Sequence, residues 1–187
     1  MTVAEVKFDE AKLKEIRRLL RGVPHEMPGL ISRAINKTAT SARTKIARGI
    51  SAEIKVVQGA VKRGLRTHKA TRSRWLSTIS VDEKRIQLSY FGARQIKKGV
   101  TYRIKRQGAR KLIPSGFIQI VGSGHKLVMK RMGPGRYPVR YPMGPSPAAV
   151  FEGAATIAKK VISSSQQTLE KNIDSQIRYV LSKRRAG

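Results

Sequence analysis

The stretch Arg74–Val81, RWLSTISV, is where the chain changes period. Trp75, Ser77, Ile79 and Val81 alternate with their neighbours, and a repeat of two sets alternate side chains on one face of a strand. Upstream the apolar repeat is helical. Residues 9–21, DEAKLKEIRRLLR, put Leu13, Ile16, Leu19 and Leu20 on one stripe opposite the charges, with Asp9 as candidate cap and Gly22 with Pro24 as stop. A second helix opens near Pro28 and runs through GLISRAINKTATSARTKIARGI. At about 100° per residue, Ile31, Ile35, Ala39, Ala42 and Ile46 share one face, and Arg33, Lys37 and Arg48 point away from it. Gly49 is expected to break this helix and Ser51 to cap a third helical stretch, AEIKVVQGAVKRGL, carrying Ile54, Val57, Val61 and Leu65.

Downstream of Val81, Asp82-Glu83-Lys84 reads as a turn, and RIQLSY, with Ile86, Leu88 and Tyr90 alternating, as the second strand of a hairpin. VTYRIK follows with Val100, Tyr102 and Ile104 inward and Thr101, Arg103 and Lys105 outward. Two further strands, GFIQIVG and HKLVMKR, flank the turn signal Gly122-Ser123-Gly124. Short turns between consecutive strands favour a meander over crossover units. MGPGRYPVRYPMGPSP is too rich in proline and glycine for helix or central strand and reads as an extended, ordered arm. Ser146-Pro147 then supplies an N-cap with proline at the first helical position. Helical spacing of Val150, Ala154, Ile157, Val161, Leu169, Ile173, Ile177 and Leu181 follows, over a helix about 50 Å long that Ser163-Ser164-Ser165 could interrupt. The fold class read here is α+β. Its parts are an N-terminal helical segment (1–66) packing on a central antiparallel β-region (67–132), a Pro/Gly arm (133–146) and a C-terminal helix (147–187), all one domain.

Charge narrows the partners. Forty Lys and Arg against eleven Asp and Glu leave a net +29 in 187 residues, which calls for a polyanion or an acidic neighbour. From Lys84 to Phe151 there is no acid at all. The 40% hydrophobic content can build a core, while 5% aromatic content leaves little for base-stacking platforms. Zero cysteines exclude disulfides, cysteine-ligated zinc and thiol catalysis. No apolar run approaches the roughly 20 residues of a membrane helix, and MTVAEVKFDE lacks a signal peptide's basic start and apolar stretch, so no membrane association is expected.

Catalytic constellations are not found. His25, His68 and His125 lack ligand spacing, the acids cluster towards the termini, and Asp82-Glu83 is a turn. Gly122-Ser123-Gly124 and Gly133-Pro134-Gly135 lack Walker or dinucleotide context and read as turns. The expectation is a protein without enzymatic activity, cofactor or metal; a nuclease would need converging carboxylates that this chain lacks. No helix-turn-helix, zinc-finger or RNA-recognition signature occurs, so any nucleic-acid contact should be with backbone phosphate and steeply salt-dependent. Arg33, Lys37, Arg48, Lys97, Lys98, Arg103, Lys105 and Arg106 are the candidate contacts to DNA or an acidic partner, and each could equally be a solvated surface charge.

Three segments together resemble the prophage minor tail protein Z family, the tail completion proteins of long-tailed bacteriophages. They are RAINKTATSARTKIARGISAEIKV (Arg33–Val56), GARQIKKGVTYRIKRQGARKLIPSGFI (Gly92–Ile118) and RYPVRYPMGPSPAAVF (Arg136–Phe151). The last is the most specific, being similar to the family's Arg-Leu-Pro-Ile, Gly-Pro-Ser and Phe order, with Tyr137 and Val139 replacing commoner aliphatics. The resemblance implies a non-enzymatic component of the virion that completes the tail at its head-proximal end and joins it to the head. It further implies a ring, with six subunits one candidate order, through which genomic DNA passes, and neighbours among the tail and neck proteins. The host cytoplasm would be the site of assembly. It marks Arg136, Tyr137 and Pro138 as part of a shaped assembly arm, Gly144, Pro145 and Ser146 as the lead-in to the last helix, and Phe151 as a core anchor. Read from charge alone, the chain could instead be a free, non-specific nucleic-acid-binding protein of chromatin or ribosomal type.

Overall fold

A computed structural model describes the backbone of residues 2–7, 10–19, 24–122 and 124–185, and the side chains of 14–18, 25–122 and 124–183. Asp9, Leu20, Gly22 and Ser123, and the side chains of Leu13 and Leu19, lie outside the described residues. The order is β1 (Thr2–Lys7), α1 (Glu10–Leu19), a 3-10 turn (Pro24–Glu26), α2 (Met27–Glu53), α3 (Gln58–Arg63), β2 (Leu65–His68) and β3 (Leu76–Val81). A second 3-10 turn (Leu88–Phe91) precedes β4 (Arg94–Ile96), β5 (Gly99–Tyr102), β6 (Lys111–Pro114), β7 (Gly116–Ile120), β8 (Lys126–Arg131), β9 (Val139–Arg140), α4 (Pro147–Gly153) and α5 (Ala155–Arg185). The class is α+β, with helices at both ends and antiparallel strands between them. The strands form three small sheets, ordered β1-β3-β2, β4-β5-β6 and β7-β8-β9; the last two are meanders.

The chain divides into two compact units. One comprises Met1–Ile46, Leu65–Val81 and Ala155–Gly187. Its core gathers Ile16, the α2 face Leu30, Ile31, Ala34, Ile35 and Ala39, and the α5 face Ile173, Ile177 and Val180, with Trp75 and Leu169 packed at the margin. This is the small-residue stripe expected on α2, and Arg33 and Lys37 lie exposed opposite it. Asn172 donates from Nδ2 to Thr38 Oγ1 at 2.9 Å, and the Thr38 hydroxyl donates to the Ala34 carbonyl at 2.9 Å, so each side chain of this buried polar pair is hydrogen-bonded. Asn36 holds the 69–75 loop by both amide atoms, accepting from Ala70 N at 2.8 Å and donating to Ala70 O at 2.9 Å.

Strand β3 shows the predicted alternation, with Ser77, Ile79 and Val81 buried. Its partners are not the predicted ones. It lies centrally, paired antiparallel with β1 on one edge and β2 on the other, and neither flanking strand was expected. Both edges are thereby filled, so RIQLSY cannot close a hairpin on it. That segment becomes an irregular stretch and a 3-10 turn, with Gln87 bridging Met143 and Tyr90 N donating to Gln87 O.

The second unit comprises Ala47–Gly64 and Asp82–Ala154. Gly49 does not break α2. Ile50 and Ile54 are buried, and their packing outweighs the roughly 1 kcal/mol that an interior glycine costs relative to alanine. The third helical stretch is correspondingly short: α3 begins only at Gln58, Val57 precedes it exposed, and Leu65 already belongs to β2. The VTYRIK strand also ends early. Beyond Tyr102 the backbone turns to other partners, Arg103 N donating to Phe91 O at 3.2 Å and Lys55 N to Ile104 O at 2.6 Å. β7 and β8 form the expected hairpin in register from Gly116↔Lys130 to Ile120↔Lys126.

The C-terminal helical region breaks at Ala154, not at the serines. Ala154 adopts φ −122°, ψ 71° between α4 and α5. Ser163 and Ser164 instead turn their hydroxyls onto carbonyls of their own helix, at Lys160 and Val161, and α5 continues past them for 31 residues in all.

Candidate functional site

The Pro/Gly segment is built from local chemistry. Met132 N donates to Pro138 O at 3.1 Å, and Val139 and Arg140, which retain their N–H groups between Pro138 and Pro142, pair with Arg131 and Lys130 as the edge strand β9. The Tyr137–Pro138 peptide is cis. The segment thus folds back along its own sheet, leaving Arg136 exposed with its guanidinium 5.8 Å from the Tyr137 ring centroid. Tyr137 is 71% exposed and Tyr141 52%, and Met132 and Met143 are exposed as well. Phe117, on β7, lies 5.2 Å beneath the Arg131 guanidinium and lines the same shallow pocket as Arg136, Tyr137 and Tyr141.

Farther along, Gly144 N donates to Ile86 O at 2.7 Å and Ile86 N to Pro145 O at 3.3 Å, clamping Gly144-Pro145 against the stretch before the second 3-10 turn. Ser146 caps α4, its Oγ accepting from Ala149 N at 3.2 Å with Pro147 following, and Phe151 is buried in this unit.

The cationic candidates are divided between the two units. Arg33 and Lys37 belong to the first unit; Arg48, Lys97, Lys98, Arg103, Lys105 and Arg106 belong to the second. Lys97 and Lys98 are exposed in the β4–β5 turn, and Arg48 and Lys105 are exposed as well. Arg106 is partly committed to structure, its Nε donating to Ser51 O at 3.0 Å. Arg103 is half-buried, with its Nε buried and unpartnered. Sequence reasoning passed over Arg110. Its Nη2 donates to Gly92 O, Thr101 O and Thr101 Oγ1 at 2.8, 2.9 and 3.0 Å, pinning the basic loop to β5. Nothing in the local pattern of charges separates such a structural arginine from a solvated one.

Among the described residues, no group of three or more His, Asp or Glu side chains is placed to hold a metal ion, and no helix is long and apolar enough to cross a membrane.

A family model described as prophage minor tail protein Z matches residues 12–184. The chain belongs to this family. The match runs from α1 nearly to the end of α5 and takes in all three segments that carried the resemblance. Membership in the minor tail protein Z family makes this a bacteriophage tail protein, a component of the virion that works among other tail proteins. No curated protein and no solved structure matches the chain.

Proposed function

We propose that this protein, without enzymatic activity, completes the tail at its head-proximal end and helps join tail to head, as a ring of identical subunits through which the DNA passes. The observation that carries the reading is the family match over residues 12–184. The surface of the β7-β8-β9 sheet supports an assembly role: exposed Tyr137 and Tyr141 line one shallow pocket with Phe117, an apolar surface suited to burial against a neighbour. Repeated around a ring, one such contact needs only a single heterologous interface. In this reading Arg136–Ser146 shapes the interface, Phe151 anchors it from the core, and the exposed cations meet DNA or acidic tail subunits.

The test is assembly itself. Tails made without this chain should fail to join heads, and adding the purified protein should restore joining. Labelled protein should appear at the head-proximal end of negatively stained virions. A protein that never enters tails yet coats DNA with a steep salt dependence would instead fit the second reading, a free non-specific nucleic-acid binder, which the +29 charge favours.

A further inference from the structure

In the first unit, Arg33 near the start of α2 and Arg72 in the loop before β3 bring their guanidiniums to one place above Gly29. A Cβ built on Gly29 would lie 3.4 Å from Arg33 Nη1 and 3.7 and 3.8 Å from Arg72 Nε and Nη2. Arg33 is held there by its Nε, which donates to Gln176 Oε1 on α5 at 2.8 Å and leaves Nη1 at the shared point. The pocket around them is also lined by His25 and by Lys183 and Tyr179 of α5, and Glu26 is the one acid among the described residues of its wall. Both guanidiniums pack over Gly29, which is buried and has no side chain, and Lys183 lines the same pocket as the two arginines.

We infer that this pocket binds a phosphate group of a nucleic-acid backbone. Like charges gathered at one point repel until an anion sits between them. A carboxylate presents its acceptor sites in one plane, whereas the tetrahedrally arranged oxygens of a phosphate accept from donors converging in different planes, here both forks and Lys183. A nucleic acid also brings the next charge within a few ångströms, so the surrounding cations are engaged as well. Tyr179, 58% exposed at the pocket wall, gives the adjoining sugar an aromatic surface. The inference deepens the tail-joining reading and rests on it for the source of the polyanion, but the site can be tested in the isolated chain.

The probe is a short DNA duplex, its affinity for the full-length protein followed by fluorescence anisotropy over a chloride series. Arg72→Gln should weaken binding about tenfold and lower the salt slope by about one phosphate contact, whereas Lys159→Gln and Lys171→Gln, exposed on the same helix as Lys183, should change affinity less than about twofold. Gly29→Ala puts a methyl group against both guanidiniums at ordinary contact distance and displaces them from their shared position while replacing a helical glycine, so its melting temperature should hold or rise while duplex affinity falls. Inorganic phosphate should compete with the duplex in the wild type more than in Arg72→Gln. Equal losses for Arg72→Gln and the lysine controls would overturn the assignment, as would polyglutamate displacing the duplex at equal charge concentration, which would indicate an acidic protein partner. Binding decides the pocket, and head joining by Arg72→Gln particles decides the tail role, so the two can fail separately.

Discussion

Gly144 has no side chain, and the ring of Phe91 occupies the place where one would stand. Phe91 is itself fully buried and cannot swing aside without opening the core of its unit. Gly144→Ala should therefore destabilise that unit by about 1–3 kcal/mol, read as a lower midpoint in urea. An unchanged midpoint would mean the ring relaxes freely. Asn172 poses a different question, because its partner Thr38 lies 134 positions away. Asn172→Ala should cost about 1 kcal/mol through the lost bond between α2 and α5. Neither contact was legible in the sequence. Gly144 reads only as part of the extended arm that leads into the last helix, and Asn172 is simply a polar position between the apolar repeats Leu169 and Ile173.

At the scale of elements, legibility followed range. The α4 start was readable because Ser146, Pro147 and the helix they begin are adjacent in the chain, and the apolar face of α2 because its period is contained in its own residues. Ser146→Ala should lower stability by about 1 kcal/mol, seen in a thermal melt as a shift absent from Ser163→Ala, whose hydroxyl only returns to its own helix. The sheets were harder because a strand is defined by its partner. The alternation in β3 shows which side chains are buried, yet nothing local says that Thr2–Lys7 and Leu65–His68 flank it. Gly49 misled for a related reason. Propensity counts it as a breaker, and the burial of Ile50 and Ile54, settled by tertiary packing, carries the helix through.

For the whole molecule the governing quantity is charge. The sequence displayed the total and the acid-free span from Lys84 to Phe151, but could not show which cations are committed, as Arg106 and Arg110 are, or that Arg33 and Arg72 meet above Gly29. A chain at +29 repels itself most when compact, because unfolding moves its cations apart. Added salt shortens the Debye length from about 10 Å at 0.1 M to about 3 Å at 1 M, removing much of that penalty from the folded state. The melting temperature in sodium chloride should accordingly rise by several degrees over this range. A protein held mainly by surface ion pairs would respond in the opposite direction, because the same screening would weaken its attractions. If the Arg33–Arg72 pocket takes phosphate, a phosphate buffer of equal ionic strength should raise the melting temperature beyond the chloride value, and Arg72→Gln should remove that excess while leaving the chloride dependence in place. Equal melting temperatures in the two salts for the wild type would assign the whole effect to screening, because specific binding to the folded state must add to it.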